Sequence, residues 1–108
     1  MPANDFRERR RYPRVKSAIA VELRHAGSPA PLRATTDEVS LGGFYIETMF
    51  TLDVGTKVET AFWLGDKKVM AKGVVATRYP QVGNGIDILE MSAEDRQRLE
   101  AYLAVAVH

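Results

Sequence analysis

The sequence predicts a mainly β fold: an antiparallel barrel of about six short strands, closed by a single C-terminal helix. Three observations carry this prediction. Apolar residues alternate with polar ones through the middle of the chain, the period of a strand with one buried face. Turn-forming clusters recur after roughly every ten residues, the spacing of an all-β domain. Only the last segment changes to a helical period. At 108 residues the chain is large enough for one modest core but not for two.

The first barrel strand begins at Ile19, where Ile19, Val21 and Leu23 alternate with Ala20, Glu22 and Arg24. AGSPAP, residues 26–31, is a turn by composition. LRATTDEV (32–39) follows as the second strand and GFYIETM (43–49) as the third. A break at TLDVGT (51–56) precedes KVETAFWL (57–64), in which Val58, Thr60, Phe62 and Leu64 share one side. Gly65-Asp66 makes a tight hairpin, because glycine accepts the positive φ such a connection needs. VMAKGVVATRY (69–79) returns, with Gly73 marking a bulge. PQVGNG (80–85) is another break, and a short strand runs over Ile86–Glu90. Ser92 then caps a helix with acidic residues in its first turn, Asp95 standing where it can close a capping box. Leu99, Tyr102, Leu103 and Ala106 form the stripe that lies against the sheet.

Composition removes several classes of function. The hydrophobic content of 45% and charge of 27% are those of a folded domain, not a disordered one. The absence of cysteine excludes a disulfide scaffold, a thiol nucleophile and a cysteine zinc site. The two histidines, His25 and His108, are too few for a histidine-rich metal site. His25 has no obvious acidic orienter, and the carboxylates scatter over strands and turns, so no enzymatic activity is expected. MPANDFRERRRYPR carries no apolar stretch after its charges, unlike a secretory signal. No apolar run approaches the ~20 residues that span a bilayer, and a cytoplasmic location is expected.

Charge divides the chain in two. Residues 1–16 form a basic arm with six basic and two acidic residues, whereas residues 17–108, the barrel and its helix, carry nine and twelve. A basic arm on a mildly acidic body points to an anionic partner met by the arm. Within the arm, Pro13 fixes its own φ and pushes Tyr12 towards extended backbone, which disfavours a helix. In an extended chain Arg10 and Arg14 point to one side, about 13 Å apart, and a bend would bring both onto a small anion. Arginine suits that task because its planar fork grips phosphate oxygens bidentately and its flat face stacks on a base. On composition alone, a solvated basic tail explains the stretch equally well.

A second stretch, DEVSLGGFYI (37–46), sets a carboxylate at Glu38 and a hydroxyl at Ser40 on one face of an extended chain. Paired glycines follow, where the backbone can turn sharply or approach a ligand closely. The carboxylate can accept protons from a guanine edge. Composition alone favours a polar inter-strand turn here.

Taken together, the two stretches resemble the PilZ domain family, bacterial receptors for cyclic di-GMP. The family signature is an RxxxR segment followed by a (D/N)xSxxG motif. Arg10 and Arg14 match the first; Ser40 and Gly43 match the last two positions of the second. GNGIDILEMSAEDRQRLEAYL (83–103) resembles the family's final strand and closing helix, and the likeness covers roughly residues 7–105.

That resemblance implies a six-stranded antiparallel PilZ-type barrel with one C-terminal helix. It implies that Arg10 and Arg14, with Arg9 nearby, meet the phosphates and guanine faces of cyclic di-GMP. Ser40 would touch a guanine or phosphate, and Gly43 would keep the backbone close. It implies a protein effector that reads the ordered arm to control motility, polysaccharide or development; no cofactor is expected, and the chain is expected to be a monomer or homodimer. Glu38 departs from the family's aspartate or asparagine, and Asp37 should point to the opposite face if strand register holds. An aromatic residue that some relatives carry late in the fifth strand is replaced by Ala76. Weaker ligand binding is therefore expected. Two alternatives stand beside this reading: a PilZ-fold interaction module that has lost nucleotide binding, and a small nucleic-acid-binding barrel, which the acidic body disfavours.

Overall fold

The computed structural model describes residues 13–106. In chain order the elements are β1 (Val15–Lys16), β2 (Ala20–Arg24), β3 (Leu32–Val39), β4 (Gly43–Glu47), β5 (Lys57–Leu64), β6 (Lys67–Tyr79), β7 (Gly83–Glu90) and α1 (Ala93–Ala106). Every strand pairing is antiparallel. The order β3-β2-β5-β6-β7-β4 closes on itself through a β3–β4 pairing, giving a six-stranded barrel. The extra strand, β1, joins the free stretch of β3 beyond β2. Closure removes the long unpaired edges that an open sheet would expose.

Alternation decides what fills the barrel. Ile19, Val21 and Leu23 point inward, as their spacing predicts, and so do Val58, Thr60, Phe62 and Leu64. Phe44 and Phe62 meet edge to face at the centre, their ring centroids 4.9 Å apart. The β5–β6 hairpin turns at Gly65, whose φ of 67° is the positive value the tight connection requires. The expected bulge at Gly73 is present as a register shift between Lys72 and Gly73 against β7.

One element begins earlier than its composition suggests. β7 starts at Gly83, not Ile86, so Gly83-Asn84-Gly85 belongs to the sheet. Asn84 is fully buried, and three hydrogen bonds satisfy its amide: it accepts from Leu52 N–H at 2.8 Å and donates to the carbonyls of Leu52 (2.9 Å) and Thr77 (3.1 Å). It thereby ties the β4–β5 loop to the barrel wall. A buried amide without those partners would cost about 1–3 kcal/mol per lost bond.

The helix packs on the barrel core and reaches the β1–β2 connection, where the Tyr102 hydroxyl lies 3.4 Å from Ser17 Oγ. Leu99 and Leu103 are its buried residues, and Tyr102 and Ala106 pack against the same core. Ser92 acts as the N-cap, accepting the Asp95 N–H at 3.1 Å. The Asp95 carboxylate takes a different role from the expected capping box. It accepts the Met70 N–H at 3.1 Å, where β7 has ended and left the β6 backbone unpaired, and binds Arg98 at 3.1 Å. No helix among the described residues is long and apolar enough to cross a membrane.

Candidate functional site

The chain is interrupted between β1 and β2, and this interruption shapes the site. Ser17, Ala18 and Ile19 lie outside either strand, leaving backbone groups that a regular ladder would have paired. The buried Thr36 hydroxyl supplies the missing partners: it accepts from Ile19 N–H at 2.9 Å and donates to Ser17 C=O at 2.6 Å. Opposite the break, β3 shifts register against β4 between Thr36 and Glu38. The inward residues Thr36 and Val39 are consequently three apart instead of two or four. Both intervening residues, Asp37 and Glu38, therefore face outward. The expectation that Asp37 points away from Glu38 depended on an unbroken register, and the bulge removes that condition.

Beyond the bulge, β1 runs alongside β3 with Val15 opposite Val39 and Lys16 opposite Glu38. Extended by one residue, that register sets Arg14 across from Ser40. Arg14 Nη1 lies 3.5 Å from Glu38 Oε1, a diagonal contact across the two strands. Arg14 and Glu38, from separate sequence stretches, thus meet on one outer face, while Ser40 lies buried beneath it at 6% exposure. Arg9 and Arg10 lie outside the described residues.

Ser40 and Gly43 form the base of the β3–β4 hairpin. Ser40 N–H donates to Gly43 C=O at 2.8 Å. The Ser40 hydroxyl accepts the Gly42 N–H at 3.1 Å and donates to Gly43 C=O at 3.3 Å. One hydroxyl lone pair is left over, on a side chain that is itself buried. Gly43 is needed for packing: a Cβ there would meet the Ile86 carbonyl oxygen at 2.5 Å, so β4 and β7 can pair closely only with glycine.

Two tyrosines that the sequence did not single out extend the same face. Tyr45 pairs with Glu38 across β3–β4, and its ring lies 6.2 Å from that of Tyr79 on β6. A Cβ at Gly83 would collide with the Tyr45 ring, so Gly83 makes room for that ring against β7. Burial, with Glu47, Tyr79 and Asp37 adding negative charge nearby, raises the Tyr45 phenol above its usual pKa of 10.0. Ala76 sits exposed at a second register shift in β6, and Tyr79 supplies an aromatic ring three residues further along. Alternation in GFYIE carried the signal for Tyr45, because Phe44 and Ile46 point inward. The face as a whole offers the cations Arg14 and Lys16, carboxylates from β3 and aromatic surface from β4 and β6. It suits a ligand that is anionic in one part, donates hydrogen bonds in another and is flat in a third. Among the described residues no group of three or more histidine and carboxylate side chains is placed to hold a metal ion.

Comparison with known proteins assigns this architecture. The PilZ domain family's sequence profile matches residues 8–105. The chain belongs to the PilZ domain family. Among solved structures it is similar to the PilZ domain with c-di-GMP of YcgR from Escherichia coli, with a TM-score of 0.75 at 15% identity over 91% of each chain. It is also similar to the motility inhibitor MotI/DgrA of Bacillus subtilis, with a TM-score of 0.77 at 15% identity. A third likeness is to the PilZ domain of CeSA from a cellulose-synthesizing bacterium, with a TM-score of 0.67, 13% identity, and coverage of 88% of this chain and 95% of that one. The MotI/DgrA match covers 91% of this chain but only 51% of the other, so this PilZ chain spans about half the length of that relative. No curated protein matches the sequence.

Proposed function

We propose that this PilZ domain is a non-enzymatic receptor for cyclic di-GMP that relays ligand binding to a protein effector. The register that sets Arg14 across from Ser40, on the face carrying Asp37, Glu38 and Tyr45, is the observation that carries the reading. In this account Arg14, with Arg9 and Arg10 from the arm, holds the phosphates as a bidentate fork. Carboxylates on β3 accept the guanine N1–H and amino protons, and the free lone pair of Ser40 accepts one further donor. Arm residues ordered against the barrel then form a surface that an effector controlling motility, polysaccharide or development can read. The PilZ domain of YcgR, which shares the fold, is described with c-di-GMP, and that supports the choice of ligand.

The Arg14–Glu38 contact favours a second reading, a nucleotide-blind interaction module in which the arginine is a strut of the barrel. Titration calorimetry with cyclic di-GMP separates the two. Saturable heat at micromolar ligand supports the receptor, whereas no heat from folded protein at tens of micromolar leaves the interaction module.

A further inference from the structure

We infer that Asp37, not Glu38, is the residue that reads the guanine edge, and that Glu38 serves as a latch for the arm. The inference rests on the receptor reading above and assigns the base-reading role within its site. Three observations carry it. The bulge between Thr36 and Glu38 turns both carboxylates outward, so Asp37 shares the face of Arg14 and Tyr45. Glu38 is engaged with Arg14 at 3.5 Å, and Lys16 stands directly opposite it in the β1–β3 register. No described residue is hydrogen-bonded or ion-paired to the Asp37 carboxylate, although it lies close enough to Tyr45 to act on its phenol.

The chemistry of the two side chains fits this division. Guanine presents two adjacent donors, N1–H and the exocyclic amino group, which one carboxylate can accept together through its two oxygens. Adenine has no N1 proton, so a carboxylate at this position discriminates between the purines. A carboxylate already neutralised by a guanidinium is a poorer acceptor, and Glu38 spends its charge on Arg14. The long side chain of Glu38 reaches diagonally across to β1, and the short one of Asp37 keeps its charge near the strand. One residue of extra backbone in β3 thereby offsets the substitution of glutamate at the usual acidic position. Releasing the latch should free Arg14 for the ligand's phosphate.

Calorimetry on the full chain with cyclic di-GMP, and with cyclic di-AMP as the adenine counterpart, tests the assignment. Asp37→Ala should weaken cyclic di-GMP binding by about 10- to 150-fold, the loss of a charge-assisted acceptor, and narrow the preference over cyclic di-AMP. Asp37→Asn, which keeps one acceptor oxygen, should recover part of that loss. Glu38→Gln should act in the opposite direction and tighten binding by up to about fivefold, the worth of an exposed ion pair no longer competing for Arg14. Thermal melts of each variant confirm that it is folded. Asp37→Ala binding as wild type while Glu38→Gln weakens would overturn the assignment and leave the receptor intact. Wild-type protein that binds neither dinucleotide would overturn both.

Discussion

Replacing Arg14 with alanine separates a ligand contact from a structural strut, because the structure bounds what each role is worth. In the free protein the Arg14 side chain is 46% exposed and its partner Glu38 32% exposed, with 3.5 Å between the charged atoms. An ion pair so wetted contributes about 0–1 kcal/mol to folding. For a domain of this size 1 kcal/mol moves the melting temperature by roughly 4–8 °C, so Arg14→Ala should lower it by no more than that. A charge-assisted bond to a ligand phosphate is worth more, about 1.5–3 kcal/mol, because the anion is held in a fixed fork. That corresponds to a rise in Kd of about 10- to 150-fold. Differential scanning calorimetry and titration calorimetry on the same preparation read both quantities. A fall in melting temperature well beyond 8 °C, with Kd unchanged, would refute the reasoning and make Arg14 a structural residue.

Other substitutions probe the scaffold that holds the face. Gly43→Ala sets a methyl against the Ile86 carbonyl at 2.5 Å and should cost about 1–3 kcal/mol by forcing β4 from β7, seen as a lower midpoint in urea. Asn84→Ala removes three hydrogen bonds from a fully buried site and should cost about 2–5 kcal/mol, with faster amide exchange at Leu52 as the local signature. Because the folded state raises the Tyr45 pKa above 10.0, the unfolded chain loses that proton first as pH rises. Stability should therefore be unaffected by Tyr45 below pH 10.0 and decline above it until the folded pKa is passed. Denaturant midpoints of wild type and Tyr45→Phe compared across that range should converge at neutral pH and diverge in alkali.

The parts of the fold legible in the sequence were those governed by local pattern. KVETAFWL and LRATTDEV form strands over the residues their alternation marks, and Gly65 turns the hairpin that its freedom in φ foretells. β7 begins three residues before its alternation marks it, because Gly83 and Gly85 have the composition of a turn. Their strand role comes from neighbouring strands: a Cβ at Gly83 would meet the Ile46 carbonyl and the Tyr45 ring of β4, and one at Gly85 would meet the Thr77 hydroxyl of β6. The bulge at Asp37 was hidden for a similar reason. It answers a break between β1 and β2 and is stabilised by the Thr36 hydroxyl, reaching backbone groups 17 and 19 positions away. Of the candidate site, Arg14, Glu38, Ser40 and Gly43 do meet on one side of the barrel. Their division of labour was not legible, since Gly43 is required by Ile86 and the Ser40 hydroxyl by its own hairpin.

Backbone amide shifts recorded during titration with cyclic di-GMP test the central claim most directly. The account predicts saturable changes concentrated at Arg14–Lys16, Asp37–Gly43 and Tyr45, with the β5–β6 hairpin and α1 left at their free positions. Shifts confined to α1 or to the Gly65 hairpin, with the β3–β4 face silent, would contradict it.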